Sequence, residues 1–162
     1  MTACETDRLV QKLAALLLGK GWRMATAESC TGGWVAKCCT DLAGSSAWFD
    51  RAYIAYSNTA KTDMLAVKPG ALQQHGAVSE VIARQMAQGA LRAAGVQAAL
   101  SVTGIAGPDG GSAEKPVGTV WFAWAVQGQE TSADCRQFSG DRESVRCQSV
   151  LHALQGLLRR LG

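Results

Sequence analysis

The sequence predicts an α/β fold: a three-layer α/β/α single domain over residues 1–162, built on a mixed sheet. Three observations carry this. Amphipathic helical stretches alternate with short apolar strands through the first two-thirds of the chain. A long apolar stretch and a further strand then follow one another across Gly128, the pattern of a hairpin closing the sheet. The 27 alanines and 18 glycines supply small side chains that let helices lie close on a sheet. A domain of this length buries roughly 70 % of its unfolded surface, so it needs no metal or disulfide staple to fold.

Leu9, Leu13, Leu16 and Leu17 share one helical face, which predicts a helix from about Thr6 to Leu18, ended by Gly19 and Gly21. Trp22 to Ala27 reads as a short strand running into AESCTGG (Ala27 to Gly33), with a helix following to Asp41. Trp48 to Tyr56, rich in aromatic residues, reads as a second strand. Asn58 or Thr59 caps a short helix reaching Leu65, and Lys68-Pro69-Gly70 signals a turn. Ser79 caps a helix from Glu80 to Ala94 that faces inward through Ile82, Met86 and Ala90, with Gly95 after its end. Ala98 to Thr103 is a compact apolar strand opening into GIAGPDGGS (Gly104 to Ser112). Val117 to Val126 and Thr131 to Phe138 are the last strands. The final helix runs from about Arg142 to Leu161 and buries Val150, Leu151, Leu154, Leu157, Leu158 and Leu161.

Composition removes several classes of function. Hydrophobic residues at 48 % and charged ones at 18 % are ordinary globular values and argue against disorder. A net charge of +3, with no stripe of Lys and Arg, is too mild for nucleic acid. Apolar runs such as Leu13 to Leu18 fall far short of the ~20 residues a bilayer requires. Glu5, Asp7 and Arg8 precede the first apolar run and no small-residue cleavage site follows, which argues against a signal peptide. A reduced, cytoplasmic protein without membrane contact is expected. Cys4, Cys30, Cys38, Cys39, Cys135 and Cys147 form no C-x-x-C pair, and the histidines are only His75 and His152. Buried or half-buried free thiols are expected, with no zinc or other metal site.

Three loops after strands combine polar side chains with glycine, and ligands of α/β sheets gather beyond the carboxyl ends of strands. In the first, Glu28 to Gly33, Ser29 falls at a strand-to-helix turn, where a hydroxyl is pushed into the open and helix N–H groups face a developing oxyanion. The same string equally fits a plain helix cap, and Cys30 is a rival nucleophile. In the second, Tyr56 to Lys61, Lys61 serves as a base only if neutral, which requires burial or a nearby positive charge; the alternative is a solvated lysine. In the third, Gly104, Gly107, Gly110 and Gly111 let backbone amides approach a ligand, or form a flexible turn. Arg142, at the start of the last helix after Phe138-Ser139-Gly140-Asp141, is a candidate phosphate contact or a solvated residue beside an Asp141 cap. Ser112-Ala113-Glu114-Lys115 matches S-x-x-K, but against Tyr56-Ser57-Asn58 the order is reversed for a penicillin-binding enzyme and the chain is too short, so the match is chance.

AESCTGG, AGSSAWFDRAYIAYSN with Lys61 after it, HGAVSE, SVTGIAGPDGGS, KPVGTVWFA and FSGDR occur in this order at compact spacing. Together they resemble the CinA C-terminal domain family, from about Asp7 to Leu158. In some relatives such a domain lies behind a molybdopterin-binding-like domain, which is not expected here. The resemblance implies hydrolysis of the carboxamide of nicotinamide mononucleotide to nicotinic acid mononucleotide and ammonia, as part of pyridine nucleotide recycling. It implies a serine–lysine hydrolase with no cofactor: Ser29 as nucleophile, Lys61 as base, and Tyr56 assisting or orienting the pair. Thr31, Gly32 and Gly33 would offer N–H groups to the oxyanion. Asn58, Thr103, Gly104, Ala106, Gly107 and Arg142 would bind substrate.

The alternative is a nucleotide-binding module that uses the same loops without catalysis. A nucleotide-diphosphate hydrolase is disfavoured because no acidic cluster for Mg²⁺ is present. Alanine-rich faces, with Trp48 and Trp121 taken as exposed, suit a homodimer.

Overall fold

A computed structural model describes residues 3–162. The chain runs α1 (Ala3–Lys20), β1 (Met24–Glu28), α2 (Trp34–Asp41), a 3-10 turn (Ser45–Ala47), β2 (Phe49–Ile54), α3 (Asn58–Leu65), α4 (Pro69–His75), α5 (Glu80–Ala94), β3 (Ala98–Gly104), β4 (Thr119–Val126), β5 (Ser132–Gln137) and α6 (Arg142–Leu161). The strands form one mixed sheet in the order β2-β1-β3-β4-β5. β1 pairs in parallel with β2 and β3; β4 is antiparallel to both β3 and β5. Val10, Leu13 and Leu17 of α1, Val35 of α2 and Val150, Leu154 and Leu157 of α6 pack on one face of the sheet. Leu65 of α3, Leu72 of α4 and Ile82, Met86 and Ala90 of α5 pack on the other. The expected three layers and mixed sheet are present.

The parallel half sets where chemistry can sit. Glu28 at the end of β1 lies beside Ile54 of β2 and Val102 of β3. The next residues along each strand, Ser29, Ala55 to Tyr56, and Thr103, therefore emerge side by side. The chain leaves β1 through α2 to β2, then returns through α3–α5 to β3 on the opposite side of β1. This reversal opens a crevice at the carboxyl ends of β1 and β3.

Several local expectations need correction. Ser57, not Asn58 or Thr59, caps α3, its side chain accepting from the Ala60 N–H at 3.0 Å. Lys68-Pro69-Gly70 starts α4, with the proline in the first turn, where its missing N–H costs nothing. Trp48 is 1 % exposed and sits in the core, and Trp121 is half-buried, so neither forms an exposed aromatic patch. Leu151 and Leu158 of α6 are only partly buried. Cys30, Cys38 and Cys39 are buried and Cys147 is half-buried, but Cys135 on the outer strand β5 is exposed; Cys4 lies outside the described side chains. Among the described residues, no helix is long and apolar enough to cross a membrane.

Candidate active site

β1 is buried along its whole length and ends on Glu28, whose side chain turns beneath the first turn of α2. Each carboxylate oxygen receives two donors. Oε1 accepts from Thr31 Oγ1 at 2.8 Å and Val35 N at 2.9 Å; Oε2 accepts from Ala36 N at 3.0 Å and Thr26 Oγ1 at 3.2 Å. Both oxygens of this fully buried side chain are thereby satisfied, as buried polar atoms must be. The carboxylate also consumes the positive end of the helix. Gly32 and Gly33, at φ +59° and +96°, bend the chain from strand to helix within a few residues.

That turn presents Ser29, 8 % exposed, to Lys61 of α3. Lys61 Nζ lies 3.0 Å from Ser29 Oγ, 3.0 Å from the Ala55 carbonyl and 3.1 Å from the Tyr56 carbonyl. The lysine is 1 % exposed, and among the described residues it pairs with no carboxylate. Burial lowers its pKa below the usual lysine value. Both protonation states fit the geometry. An ammonium spends three protons on three oxygens; an amine keeps two on the carbonyls and turns its lone pair to the serine hydroxyl. Cys30 behaves differently: burial pushes its thiol up to about 12, which removes it as a thiolate nucleophile near neutral pH.

Ser29, Lys61 and Cys30 line a cavity of about 230 Å³ together with Tyr56, Asn58, Thr103, Gly104, Ala106 and Arg142. Ala77 and Val78, from the loop before α5, complete it. No carboxylate lines it, while Lys61 and Arg142 both do. Thr103 is buried and donates its hydroxyl to the Ala77 carbonyl at 2.9 Å, leaving the oxygen free to accept. Arg142 donates to the Gly107 carbonyl at 2.8 Å and to the Tyr56 hydroxyl at 3.2 Å. Tyr56, 59 % exposed, thus meets Lys61 through its main chain, and its ring reaches out to Arg142.

Three expected site residues lie elsewhere. Thr31, Gly32 and Gly33 line a separate cavity with Trp34, Lys37 and Arg146, behind the turn. Thr31 is fully buried with its hydroxyl on Glu28, and the Gly32 N–H is spent on the Ser29 carbonyl at 3.1 Å. The first turn of α2 gives its Val35 and Ala36 N–H groups to Glu28. The helix start is therefore occupied by the protein's own carboxylate. Gly107 reaches the cavity only through its carbonyl on Arg142. Ser112 and Lys115 close an exposed turn away from Ser29, in keeping with a chance S-x-x-K match. Among the described residues, no three His, Cys, Asp or Glu side chains gather to hold a metal ion.

The family model of the CinA C-terminal domain matches residues 6–161. The chain belongs to the CinA C-terminal domain family. This CinA domain is 56 % identical over 159 residues to a nicotinamide-nucleotide amidohydrolase of Enterobacter agglomerans, spanning 98 % of this chain and 97 % of that one. It is 55 % identical to the protein of the same name in Escherichia coli K12, over 97 % and 95 % of the two chains. Among solved structures, the competence damage-inducible protein A of Klebsiella pneumoniae superposes with a TM-score of 0.92 at 41 % identity, covering 96 % of each chain.

Two residues of this CinA domain went unread in its sequence. Glu28 carried a signal: a lone carboxylate ending an apolar strand, before a helix whose preceding residue is glycine instead of Asp or Ser. Arg146 carried a weaker one. It stands four residues after Arg142, hence on the same helical face, and donates to the Cys30 and Thr31 carbonyls at 3.0 and 3.1 Å.

Proposed function

We propose that the protein hydrolyses the carboxamide of nicotinamide mononucleotide to nicotinic acid mononucleotide and ammonia, with Ser29 as nucleophile and Lys61 as base. The carrying observation is the buried Lys61 amine 3.0 Å from Ser29 Oγ, with no acidic partner, at the floor of a cavity. The names of two relatives that match nearly the whole chain at 55–56 % identity support the substrate.

Lys61, neutral, takes the Ser29 proton as Oγ adds to the carboxamide carbon, and the carbonyl π pair moves onto oxygen. Collapse of the tetrahedral species expels the amine, which leaves as ammonia with the proton from Lys61. A nicotinoyl ester remains on Ser29. Lys61 then deprotonates water, which attacks the ester, and Ser29 is regenerated as the acid forms. Thr103 Oγ1, its proton committed to Ala77, accepts from the carboxamide N–H₂. A cavity of about 230 Å³ encloses the pyridine carboxamide, with the ribose phosphate at the mouth beside Arg142. A mouth with a cation and no carboxylate suits a phosphate. This reading places the protein in the cytoplasm, in pyridine nucleotide recycling.

The purified protein incubated with nicotinamide mononucleotide should release ammonia and the acid nucleotide in equal amounts. Ser29→Ala should abolish turnover while keeping a cooperative unfolding transition. A folded wild-type sample that forms neither product overturns the assignment.

A further inference from the structure

The turn that carries Ser29 is gripped from outside the cavity. Arg146 of α6 donates Nε to the Cys30 carbonyl at 3.0 Å and Nη2 to the Thr31 carbonyl at 3.1 Å. Its guanidinium lies 5.4 Å from the centre of the Trp34 ring, a second hold on the same segment. A planar fork on two successive carbonyls fixes two successive peptide planes, which a single ammonium cannot do.

In a trans peptide the N–H points away from the C=O of the same unit. The Ser29 carbonyl is taken by the Gly32 N–H at 3.1 Å, so the Cys30 N–H projects out of the turn. The Cys30 carbonyl is taken by Arg146, so the Thr31 N–H projects away from that guanidinium. Among the described residues neither N–H meets an oxygen acceptor. Ser29 and Cys30 both line the cavity, so an N–H that meets only its own residue's thiol sulfur, and no oxygen, lies one residue beyond the nucleophile. A donor in that position suits the oxygen of a tetrahedral intermediate.

We infer that Arg146 is a positioning residue: its grip on the Thr31 carbonyl fixes the peptide plane whose Gly32 N–H holds the Ser29 carbonyl, and so aims the Cys30 N–H, which lies in the plane of that carbonyl, at the oxyanion formed when Ser29 adds to a carboxamide. The inference rests on Ser29 being the nucleophile proposed above. It also says where stabilisation comes from once Glu28 has consumed the helix start. Such a donor is felt most strongly in the transition state, so its misalignment lowers kcat and leaves KM unchanged.

The test compares wild type, Arg146→Ala and Arg146→Lys in two assays. One is steady-state hydrolysis of nicotinamide mononucleotide. The other is the rate at which a small phosphonofluoridate labels Ser29, followed by mass; that reaction needs the same donor but no nucleotide. Arg146→Ala should lower kcat by about 100-fold, near the loss of one oxyanion donor, with KM unchanged and labelling slowed in parallel. Millimolar guanidinium should restore part of both rates. Arg146→Lys, which keeps the charge without the fork, should fall between the two and decides the matter if Arg146→Ala does not fold. Unchanged kcat and labelling overturn the inference. So does a loss expressed in KM alone, or a loss accompanied by unfolding that Arg146→Lys does not share in graded form. Wild type that labels at Ser29 but releases no ammonia sinks the amidase reading and leaves Arg146 judged by labelling. Wild type inert in both assays sinks the two together.

Discussion

Lys61 is the residue on which the proposed chemistry turns, and its position has a stability consequence as well as a catalytic one. Burial lowers its folded pKa below the unfolded value of about 10.4. The base must be neutral, so kcat/KM should rise with pH through the lowered pKa and level off above it. The stability effect has a defined sign. Between the folded and unfolded pKa values the unfolded chain binds more protons, so stability gains as pH rises across that window. Lys61→Met removes this gain. Denaturant melts of wild type and Lys61→Met from neutral to alkaline pH should therefore diverge in favour of wild type, while the variant loses turnover at every pH. An acid limb in kcat/KM at or above the ordinary lysine value would exclude Lys61 as the base. The polar strings after β1 and β2 marked Ser29 and Lys61 only as candidates, beside a plain cap and a solvated lysine, and the family resemblance gave them roles; their 3.0 Å approach comes from the fold. That the Gly32 N–H is turned back onto the Ser29 carbonyl, and that the first turn of α2 gives Val35 and Ala36 N–H groups to Glu28, was not legible. Nothing in a linear reading says that the carboxylate one residue before Ser29 folds under the helix and takes the donors a helix start normally offers.

At the scale of elements, boundaries followed the hydrophobic period closely where caps were unambiguous. α5 starts after Ser79 and ends before Gly95, and α6 covers Arg142–Leu161, as their apolar spacing required. α4 was hidden because Pro69 and Gly70 read as a turn, yet proline is equally at home in a first helical turn. Trp48 was misplaced because an aromatic residue beside a strand carries no mark of which side it faces. The contact between α6 and the sheet shows how tightly two elements can be specified. A Cβ built on Gly156 would stand 2.0 Å from the Trp124 ring, whose Nε1 donates to the Ala153 carbonyl at 2.9 Å. Gly156→Ala gains helix propensity by roughly 1 kcal/mol, but the ring is fixed by its hydrogen bond and cannot yield freely. Overpacking at about 1–3 kcal/mol should win. Chemical denaturation should show a lower midpoint with an unchanged slope; an equal or higher midpoint would mean the ring relocates without cost.

For the whole molecule, the sheet divides labour. The chain leaving the parallel strands β1 and β2 supplies the three oxygens around Lys61 Nζ, and β3 adds Thr103 and Gly104 to the cavity lining, while β4 and β5 complete the sheet and carry no residue of that lining. The site is thus assembled across the fold, and a ligand there should stabilise the chain globally. Nicotinic acid mononucleotide at 100 times its Kd should add about 2.7 kcal/mol to unfolding, seen as a rise in Tm. Arg142→Ala should shrink that rise at fixed concentration, because it removes the mouth's cation; an undiminished rise would place the phosphate elsewhere.

The strand alignment of Glu28 with Ile54 and Val102 also decides where this chain can grow longer. Side chains alternate between faces along a strand, so one extra residue within β1 would send the hydroxyl of Ser29 toward the wrong layer of helices. The bend at Gly128, between exposed Gln127 and Gln129, joins strands that bear none of the cavity. Insertions and grafted peptides belong there, where extra length leaves the reacting groups undisturbed.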